Sequence, residues 1–401
     1  MDEVRVVEGS QAIARAVKLC QPDVISAYPI SPQTHIVENL AQMAADGELK
    51  SEMILVESEF SAASAVTGAS AAGGRAYTAS SSQGLLLMTE VIYNAAGMRL
   101  PFVITGVNRS VSAPISIQID QQDSVSLRDS GIIQFYAESS REAYDMHLMA
   151  FRIAEDPEIL LPVMVCIDGW ILTHNYEQVV FLDQETVDRF LPPFKPQQFL
   201  DIARPLTYGS HAEDDVLMEM KYSIHDAMIR AKGRIKEIID EYAQLTGRYY
   251  SGLTEAYRTE GAEVILLGMG SMMGTAKDAV DEMREKGIPV GLIRVLCYRP
   301  FPYEDILAGA RGAKVVSVMD NNFSMGSEGA MGMDLKAKFC NLEDHPLVLN
   351  FITGLAGREV GKETIWQIVD RSRVIESMGR PELESYWVDL NKEILPSGGV
   401  P

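Results

Sequence analysis

Five polar side chains within the first 109 residues have the types needed to bind and activate a small acid. They are two hydroxyls, a carboxylate, an amide and a cation: Ser31, Ser82, Glu59, Gln83 and Arg109. Each lies where an apolar, strand-like run gives way to a helical pattern. Because open α/β sheets bind ligands beyond the carboxyl ends of their strands, we expect these groups to converge at one sheet edge. The set suits a substrate that carries a carboxylate, held beside an ionisable heterocycle.

Two of these groups also have ordinary structural explanations. Ser31 followed by Pro32 is a common helix start, in which the serine is the N-cap. Glu57 and Glu59 point the same way if the chain is extended there, and diverge if a helix begins at Ser58. A carboxylate in the first turn of a helix is stabilised by the helix dipole, whatever its other roles.

Other polar residues favour structural roles. Asp120, Asp123, Arg128 and Asp129 lie in a loop rich in glutamine, where we expect salt bridges rather than catalysis. His35 is the only histidine near the proposed site in the sequence, and a single histidine on a helix face is more often structural than a general base.

The elements that must position these residues alternate between strand and helix. Strand-like runs separated by helical patterns of ~10 to 15 residues predict right-handed βαβ units and a parallel sheet. We therefore expect an α/β domain over residues 1–190, with strands at residues 24–28, 53–56, 75–80, 101–107 and 161–168.

The rest of the chain divides at about residue 260. Residues 191–260 read as an extended and helical linker, with a long charged helix from about 214 to 245. Alternation resumes over residues 261–401 and predicts a second, smaller α/β domain with a C-terminal tail. The glycine-rich segment at 268–274 does not have dinucleotide-binding spacing, and favours a tight turn between strand and helix.

Composition excludes several classes of function. The formal net charge of −21 disfavours a nucleic acid or an anionic membrane as partner. We expect no membrane span and no secretory signal, and interpret the protein as cytoplasmic. The four cysteines are far apart in sequence, so neither a disulfide framework, a zinc site nor an iron–sulfur cluster is expected in this chain.

Motifs along nearly the whole sequence resemble the alpha subunit of 2-oxoacid:ferredoxin oxidoreductases, and within that family most resemble the pyruvate-oxidising type. The loop that begins at Asn108 resembles the pyruvate type more than the branched-chain type. The motifs that carry the resemblance are Ala27–His35, Glu57–Glu59, Ser81–Gly84, Asn108–Pro114, Arg128–Gly131, Gln134–Glu138, Leu191–Pro196, Gly268–Gly270, Arg299–Pro302 and Gly354–Arg358.

The resemblance implies a pyrimidine-binding domain of the thiamin diphosphate fold, followed by a domain like the C-terminal domain of transketolase. Glu59 matches the glutamate that bonds to the aminopyrimidine ring and promotes removal of the C2 proton. Arg109 matches the arginine that holds the substrate carboxylate. Ser31 stands where the family commonly has threonine, so the resemblance implies a substrate-contacting hydroxyl there, and Ser82 and Gln83 are expected beside the cofactor.

The resemblance also implies a shared active site. The chain lacks the Gly-Asp-Gly segment that holds Mg²⁺ and the diphosphate, so a beta subunit is expected to supply both. Gamma and ferredoxin-like delta subunits, iron–sulfur clusters in these partners, CoA as acyl acceptor and ferredoxin as electron acceptor are further implied. The resulting hypothesis is reversible oxidative decarboxylation of pyruvate to acetyl-CoA and CO₂.

Two alternatives stay open. The chain could belong to a 2-oxoisovalerate-oxidising complex, because serine at position 31 leaves a slightly larger pocket than threonine. It could also be a scaffold or regulatory subunit that keeps the fold without taking part in catalysis.

Overall fold

The computed structural model describes residues 3–395. Its strands are β1 Glu3–Glu8, β2 Val24–Ala27, β3 Glu52–Leu55, β4 Ala76–Ser80, β5 Val103–Asn108, β6 Ile133–Tyr136, β7 Val163–Asp168, β8 Tyr176–Phe181, β9 Thr254–Tyr257, β10 Val264–Gly268, β11 Val290–Val295, β12 Cys297–Arg299, β13 Val315–Asp320, β14 Leu347–Ile352 and β15 Tyr386–Trp387. Its α-helices are α1 Gly9–Cys20, α2 Thr34–Ala45, α3 Glu59–Ala71, α4 Ser82–Leu87, α5 Thr89–Met98, α6 Gln122–Val125, α7 Ser140–Ala154, α8 Ile171–His174, α9 Gln184–Phe190, α10 Leu217–Thr246, α11 Met272–Glu285, α12 Tyr303–Gly309, α13 Ala330–Phe339 and α14 Lys362–Met378.

The described residues pack as two compact units. The first runs to Glu255 and also includes Met269–Ser271 and Arg294–Asp305, while the second contains most of the remaining chain. The main sheet of the first unit has the strand order β12-β6-β7-β5-β4-β2-β3. All neighbouring pairs in this sheet are parallel except β12 with β6. The predicted α/β class with a parallel sheet is confirmed.

The chain order reverses at β2, and this reversal defines the edge where the site lies. From β2 the chain crosses to β3 on one side, and α3 then carries it back to β4 on the other side. Because β2, β3, β4 and β5 run in the same direction, their carboxyl ends lie at one edge. Such a reversal opens a crevice where α/β folds bind ligands. The strands end there at Ala27, Leu55, Ser80 and Asn108.

The long helix α10 belongs to the core of the first unit. It packs against α5, α7 and α9 and buries Ala231, Ile235 and Ile239, whereas Met218 near its start is 79% exposed. The sequence predicted a long charged helix within a linker, and the buried face of this helix contacts the first unit. The three-part division at residues 190 and 260 remains a prediction about folding domains.

The described strands that lie mostly in the second unit form a sheet in the order β15-β14-β13-β10-β11-β9. Strand β13 pairs in parallel with β10 and β14, and helices α11 and α14 pack against each other beside this sheet. Residues 269–271 form the turn between β10 and α11, and Gly270 has a φ of +80°, which favours glycine. The predicted strand-to-helix turn is therefore present.

Within residues 3–395, no helix is both long enough and apolar enough to cross a membrane.

A buried carboxylate fastens α10 to α7. Asp145 on α7 is fully buried, and its oxygens lie 2.5 Å from Tyr242 Oη, Arg248 Nη1 and Tyr250 Oη. Burial raises the pKa of Asp145, while the charge of Arg248 and the two tyrosine hydroxyls act to lower it. An ionised carboxylate in this place is stable only as long as these donors remain.

We expect Asp145→Ala to lower the free energy of unfolding by about 3–5 kcal/mol, since it leaves the Arg248 charge buried without its partner. Urea unfolding followed by circular dichroism measures the change. The matched control is Asp226→Ala, which removes an exposed ion pair with Arg230 on α10 and should cost less than about 1 kcal/mol. Equal effects of the two substitutions would contradict the view that α10 is fastened through Asp145.

Candidate functional site

The structure brings the five predicted side chains to one edge of the first sheet. Ser31 lies in the turn after β2, Glu59 opens α3 after β3, Ser82 and Gln83 open α4 after β4, and Arg109 follows β5 directly. These turns are separated by up to 78 positions in sequence, yet hydrogen bonds connect three of them. The predicted convergence at the carboxyl ends of the strands is therefore observed.

Arg109 lies at the centre of this arrangement and is 7% exposed. Its Nη1 donates to the carbonyl oxygen of Ser31 at 2.7 Å, and its Nη2 donates to Gln83 Oε1 at 2.9 Å. Its Nε, also buried, has no hydrogen-bond partner among the described residues. Burial lowers the pKa of Arg109, and the negative charges of Asp123 and Glu59 oppose that change. A buried guanidinium with neutral hydrogen-bond partners is suited to binding an anion.

Ser31 does not have the predicted N-cap role. Helix α2 begins at Thr34 and its N-cap is Gln33, so Ser31 lies three residues before the helix. The reason is a tertiary contact: Gln33 is fully buried, donates from Nε2 to Ala79 O at 3.0 Å and accepts from Ile30 N at 3.2 Å. The preceding turn leaves Ser31 exposed, with its carbonyl directed to Arg109.

Glu59 is buried at the first turn of α3, with 7% of its surface exposed. Ser58 is the N-cap and accepts a hydrogen bond from Ser61 N at 3.2 Å. The helix therefore starts early enough for the two nearby glutamates to diverge. Glu57 is exposed and accepts from Ser61 Oγ at 2.5 Å, whereas the carboxylate of Glu59 lies beside Gly84 of α4.

Gly84 allows α4 to approach the Glu59 carboxylate closely. A Cβ atom at position 84 would lie 2.6 Å from Glu59 Oε1 and would also collide with Ser80 Oγ. The buried hydroxyls of Ser80 and Ser81 have no hydrogen-bond partner within residues 3–395. Small residues and spare hydroxyls beside a buried carboxylate give this part of the edge the capacity to bind a polar heterocycle.

Ser82 and Gln83 form the link between α4 and the loop after β5. Ser82 Oγ donates to Ser110 O at 2.7 Å and lies in contact with Gln83 Oε1, while Gln83 Nε2 donates to Ser112 Oγ. Ser82 has a φ of 50°, an uncommon conformation for a residue other than glycine. The strained turn directs Gln83 to Arg109, so these residues orient the guanidinium.

Asp123 is the residue that sequence reasoning underestimated. A salt-bridged loop was expected, but Asp123 is fully buried. Each of its two carboxylate oxygens accepts two hydrogen bonds. Its donors are N–H groups of Ser82, Asn108, Arg109 and Ser124. The only indication of this role in the sequence was that Asp123 follows shortly after the loop that begins at Asn108.

His35 is not isolated in the fold. Its Nδ1 lies 2.7 Å from Glu8 Oε1, and its ring centroid is 4.7 Å from that of His174. The His174 ring in turn lies 4.2 Å from that of Trp170. These contacts support the structural role expected for His35.

The cysteines do not gather into a cluster-binding set. All four are free, with Cys20, Cys166 and Cys297 buried and Cys340 exposed. Burial raises the pKa of the three enclosed thiols. Small buried thiols of this kind pack as core residues, as expected for most of them.

Comparison with known families gives two matches. Residues 15–240 match the family model described as pyruvate flavodoxin/ferredoxin oxidoreductase, thiamine diphosphate-binding. Residues 262–365 match the model described as pyruvate:ferredoxin oxidoreductase core domain II. Together they cover most of both predicted α/β regions.

Curated relatives match along almost the whole chain. Pyruvate synthase subunit PorA of Pyrococcus horikoshii is 48% identical over 394 residues, covering 97% of this chain and 99% of the relative. The same subunit of Methanosarcina barkeri is 45% identical, with 97% of each chain covered. Ketoisovalerate oxidoreductase subunit VorA of Pyrococcus abyssi is 43% identical, with 97% and 98% covered.

Solved structures support the fold. The 2-oxoglutarate:ferredoxin oxidoreductase of Magnetococcus marinus, with 2-oxoglutarate, coenzyme A and succinyl-CoA bound, aligns with a TM-score of 0.70 at 19% identity and covers 92% of this chain and 65% of that one. A split-gene transketolase, an inactive tetramer, aligns at 0.54 with 13% identity, covering 92% and 99%. Because the first family model covers more than half of the chain and the curated relatives are 43–48% identical along almost all of it, the chain belongs to the pyruvate flavodoxin/ferredoxin oxidoreductase family, as the resemblance of its motifs predicted.

Proposed function

We propose that this chain is the alpha-type catalytic subunit of a pyruvate:ferredoxin oxidoreductase complex. The reaction is CoA-dependent oxidative decarboxylation of pyruvate to acetyl-CoA and CO₂, with reduction of ferredoxin. The observation that carries the proposal is the buried Arg109 guanidinium, oriented by neutral partners at the sheet edge that also holds Glu59. Family membership and 44–48% identity to several pyruvate synthase subunits support it.

Arg109 would bind the substrate carboxylate. A charge-assisted hydrogen bond from its guanidinium fixes one end of a 2-oxo acid and so orients the 2-oxo carbon. The Ser31 carbonyl and Gln83 Oε1 hold the guanidinium without neutralising it, because both are uncharged acceptors. The exposed Ser31 side chain would contact the substrate at the same place.

Glu59 would hold the aminopyrimidine of thiamin diphosphate. Its carboxyl group is buried at the start of α3, beside Gly84. In this position it would form a hydrogen bond with a ring nitrogen and share a proton with it. The nearby hydroxyls of Ser80 and Ser81 and the Ser82–Gln83 turn fit the polar edge of the same group. When bound, thiamin diphosphate supplies the nucleophilic carbon and the electron sink for decarboxylation.

The remaining components would come from partner subunits. A beta subunit would hold Mg²⁺ and the diphosphate, and gamma and ferredoxin-like delta subunits would carry iron–sulfur clusters. The four cysteines of this chain are far apart in sequence and three of them are buried, which supports that division. CoA would enter as co-substrate, and a cytoplasmic location accords with ferredoxin as electron acceptor.

Oxidation of 2-oxoisovalerate is the second candidate function. The observation in its favour is the exposed serine at position 31, a small side chain that leaves room for a branched substrate. Identity to the ketoisovalerate oxidoreductase subunits is 42–43%, only slightly below that to the pyruvate synthase subunits. Pyruvate is favoured because the pyruvate synthase relatives have the higher identities.

We expect Glu59→Gln to lower kcat by about 10²- to 10⁴-fold, because an amide keeps the shape of the side chain but cannot share a proton with the ring. Pyruvate-dependent ferredoxin reduction by the reconstituted complex measures the effect. Glu57→Gln is the matched control, since Glu57 is exposed and bonded to Ser61. Full turnover by an assembled Glu59→Gln complex would favour the hypothesis that the chain is a scaffold or regulatory subunit without a catalytic role.

Arg109→Lys should raise the KM for pyruvate by about 10- to 100-fold. A lysine ammonium cannot keep the hydrogen bonds to Ser31 O and Gln83 Oε1 and also bind the substrate carboxylate. The control is Arg141→Lys, at an exposed position on α7. Steady-state kinetics over a range of pyruvate concentrations separates KM from kcat. An unchanged KM in the Arg109 variant would remove this residue from the substrate site.

A further inference from the structure

We propose that Asp123 is a positioning residue for the reaction, fixing the main chain of Ser82 and Arg109 so that the Arg109 guanidinium faces the substrate. This inference rests on the proposed function, which assigns the substrate carboxylate to Arg109. Asp123 itself lies behind the edge and is fully buried, so it acts through its neighbours and not on the substrate.

One oxygen of Asp123 connects two of the turns that form the site. Its Oδ2 accepts from Ser82 N at 2.8 Å and from Arg109 N at 3.0 Å. Ser82 begins α4 after β4, whereas Arg109 follows β5, so a single atom fixes the distance between the two strand ends. Charge-assisted bonds of this kind are stronger than bonds between neutral groups.

The other oxygen is occupied as well. Asp123 Oδ1 accepts from Asn108 Nδ2 and from Ser124 N, each at 2.8 Å. Asn108 Nδ2 also donates to Ser124 Oγ at 2.6 Å, and this hydroxyl contacts Tyr136 Oη at 2.9 Å. Four N–H donors therefore surround the carboxylate, which suits an ionised group that only accepts hydrogen bonds. An asparagine would have to direct its NH₂ group at two of these donors.

The strain at Ser82 is a second sign that the network serves the site. Its φ of 50° costs free energy in a residue with a side chain, and such strain persists only where the surroundings enforce it. The bond from Ser82 N to Asp123 is one of the contacts that enforce it. The consequence reaches Arg109 through Gln83, the next residue, whose Oε1 accepts from Nη2.

The network should also respond to pH near neutrality. Burial raises the pKa of Asp123 to about 7, against the lowering effect of its N–H donors. The titratable groups that face it are Arg109, which favours the ionised form, and Asp120, Tyr136 and Cys166, which oppose it when charged. Protonation of Asp123 places a hydrogen on an oxygen that otherwise accepts a hydrogen bond from an N–H group. Half of the Asp123 carboxyl groups are therefore protonated at about pH 7. The positioning bonds are complete only well above that pH and weaken as the pH falls through it.

We expect Asp123→Asn to raise the KM for pyruvate by about 10- to 100-fold in the assembled complex, with a smaller effect on kcat. The wild-type KM should rise as the pH is lowered from 8 to 6, while the KM of the variant should vary less over that range. The matched control is Asp129→Asn, because Asp129 is in the same loop but its side chain is 71% exposed. The control should keep wild-type values and the wild-type pH profile.

Hydrogen exchange by mass spectrometry tests the positioning role without substrate. In Asp123→Asn, peptides that contain the amides of Ser82 and Arg109 should exchange faster than in wild type, while peptides from β7 should not change. Unchanged protection at both amides, or an unchanged KM and pH profile, would overturn the inference. If the wild-type complex turned over no 2-oxo acid, the proposed function would fail, and the exchange result would still report on the role of Asp123.

A milder substitution covers the case in which Asp123→Asn does not assemble. Asn108→Ser removes one donor to Oδ1 and leaves both main-chain bonds to Oδ2. It should raise the KM by about threefold to tenfold and speed exchange at Arg109. A wild-type KM with wild-type exchange in this variant would count against the network.

Discussion

The parallel pairing of β2 with both β3 and β4 is the constraint on which the site depends. It forces the chain to leave β2 on one side and return on the other, which opens a crevice at the carboxyl ends of the strands. Short turns then place Glu59 and Arg109 at the same edge, although 50 positions separate them in sequence. A shift of either pairing by one residue would turn the strand-end side chains to the opposite face.

Within that crevice, the arrangement of charge explains why the Arg109 guanidinium remains available to bind a substrate carboxylate. Asp123 lies on the main-chain side of Arg109 and bonds to its N–H, so the negative charge stabilises the residue without occupying the guanidinium. Neutral oxygens of Ser31 and Gln83 bond to the guanidinium instead. A direct ion pair with an internal carboxylate would have competed with a substrate carboxylate for the same donors. The separation of these roles is the electrostatic basis of the proposed substrate site.

Local patterns in the sequence predicted the parallel sheet, the edge and the residues that meet there, because strand and turn signals are local. They did not predict features that depend on contacts between residues far apart in the sequence. Ser31 was expected to cap α2, but the buried side chain of Gln33 bonds to β4 and delays the helix start to Thr34. The role of Asp123 depends on donors from two other segments, Ser82 and Asn108–Arg109, which no spacing in the sequence reveals. The packing partner of α10 was likewise not predictable, because it depends on distant contacts such as that of Asp145 with Arg248, about 100 positions apart.

The most direct measurement is anaerobic reduction of ferredoxin by the purified native complex, supplied with CoA and thiamin diphosphate, using pyruvate and 2-oxoisovalerate in separate assays. The buried cation and small polar turns at the sheet edge predict substrate-dependent reduction, with a higher kcat/KM for pyruvate. A higher kcat/KM for the branched acid would contradict the assigned substrate while leaving the mechanism in place. No reduction with any 2-oxo acid would contradict the catalytic role itself.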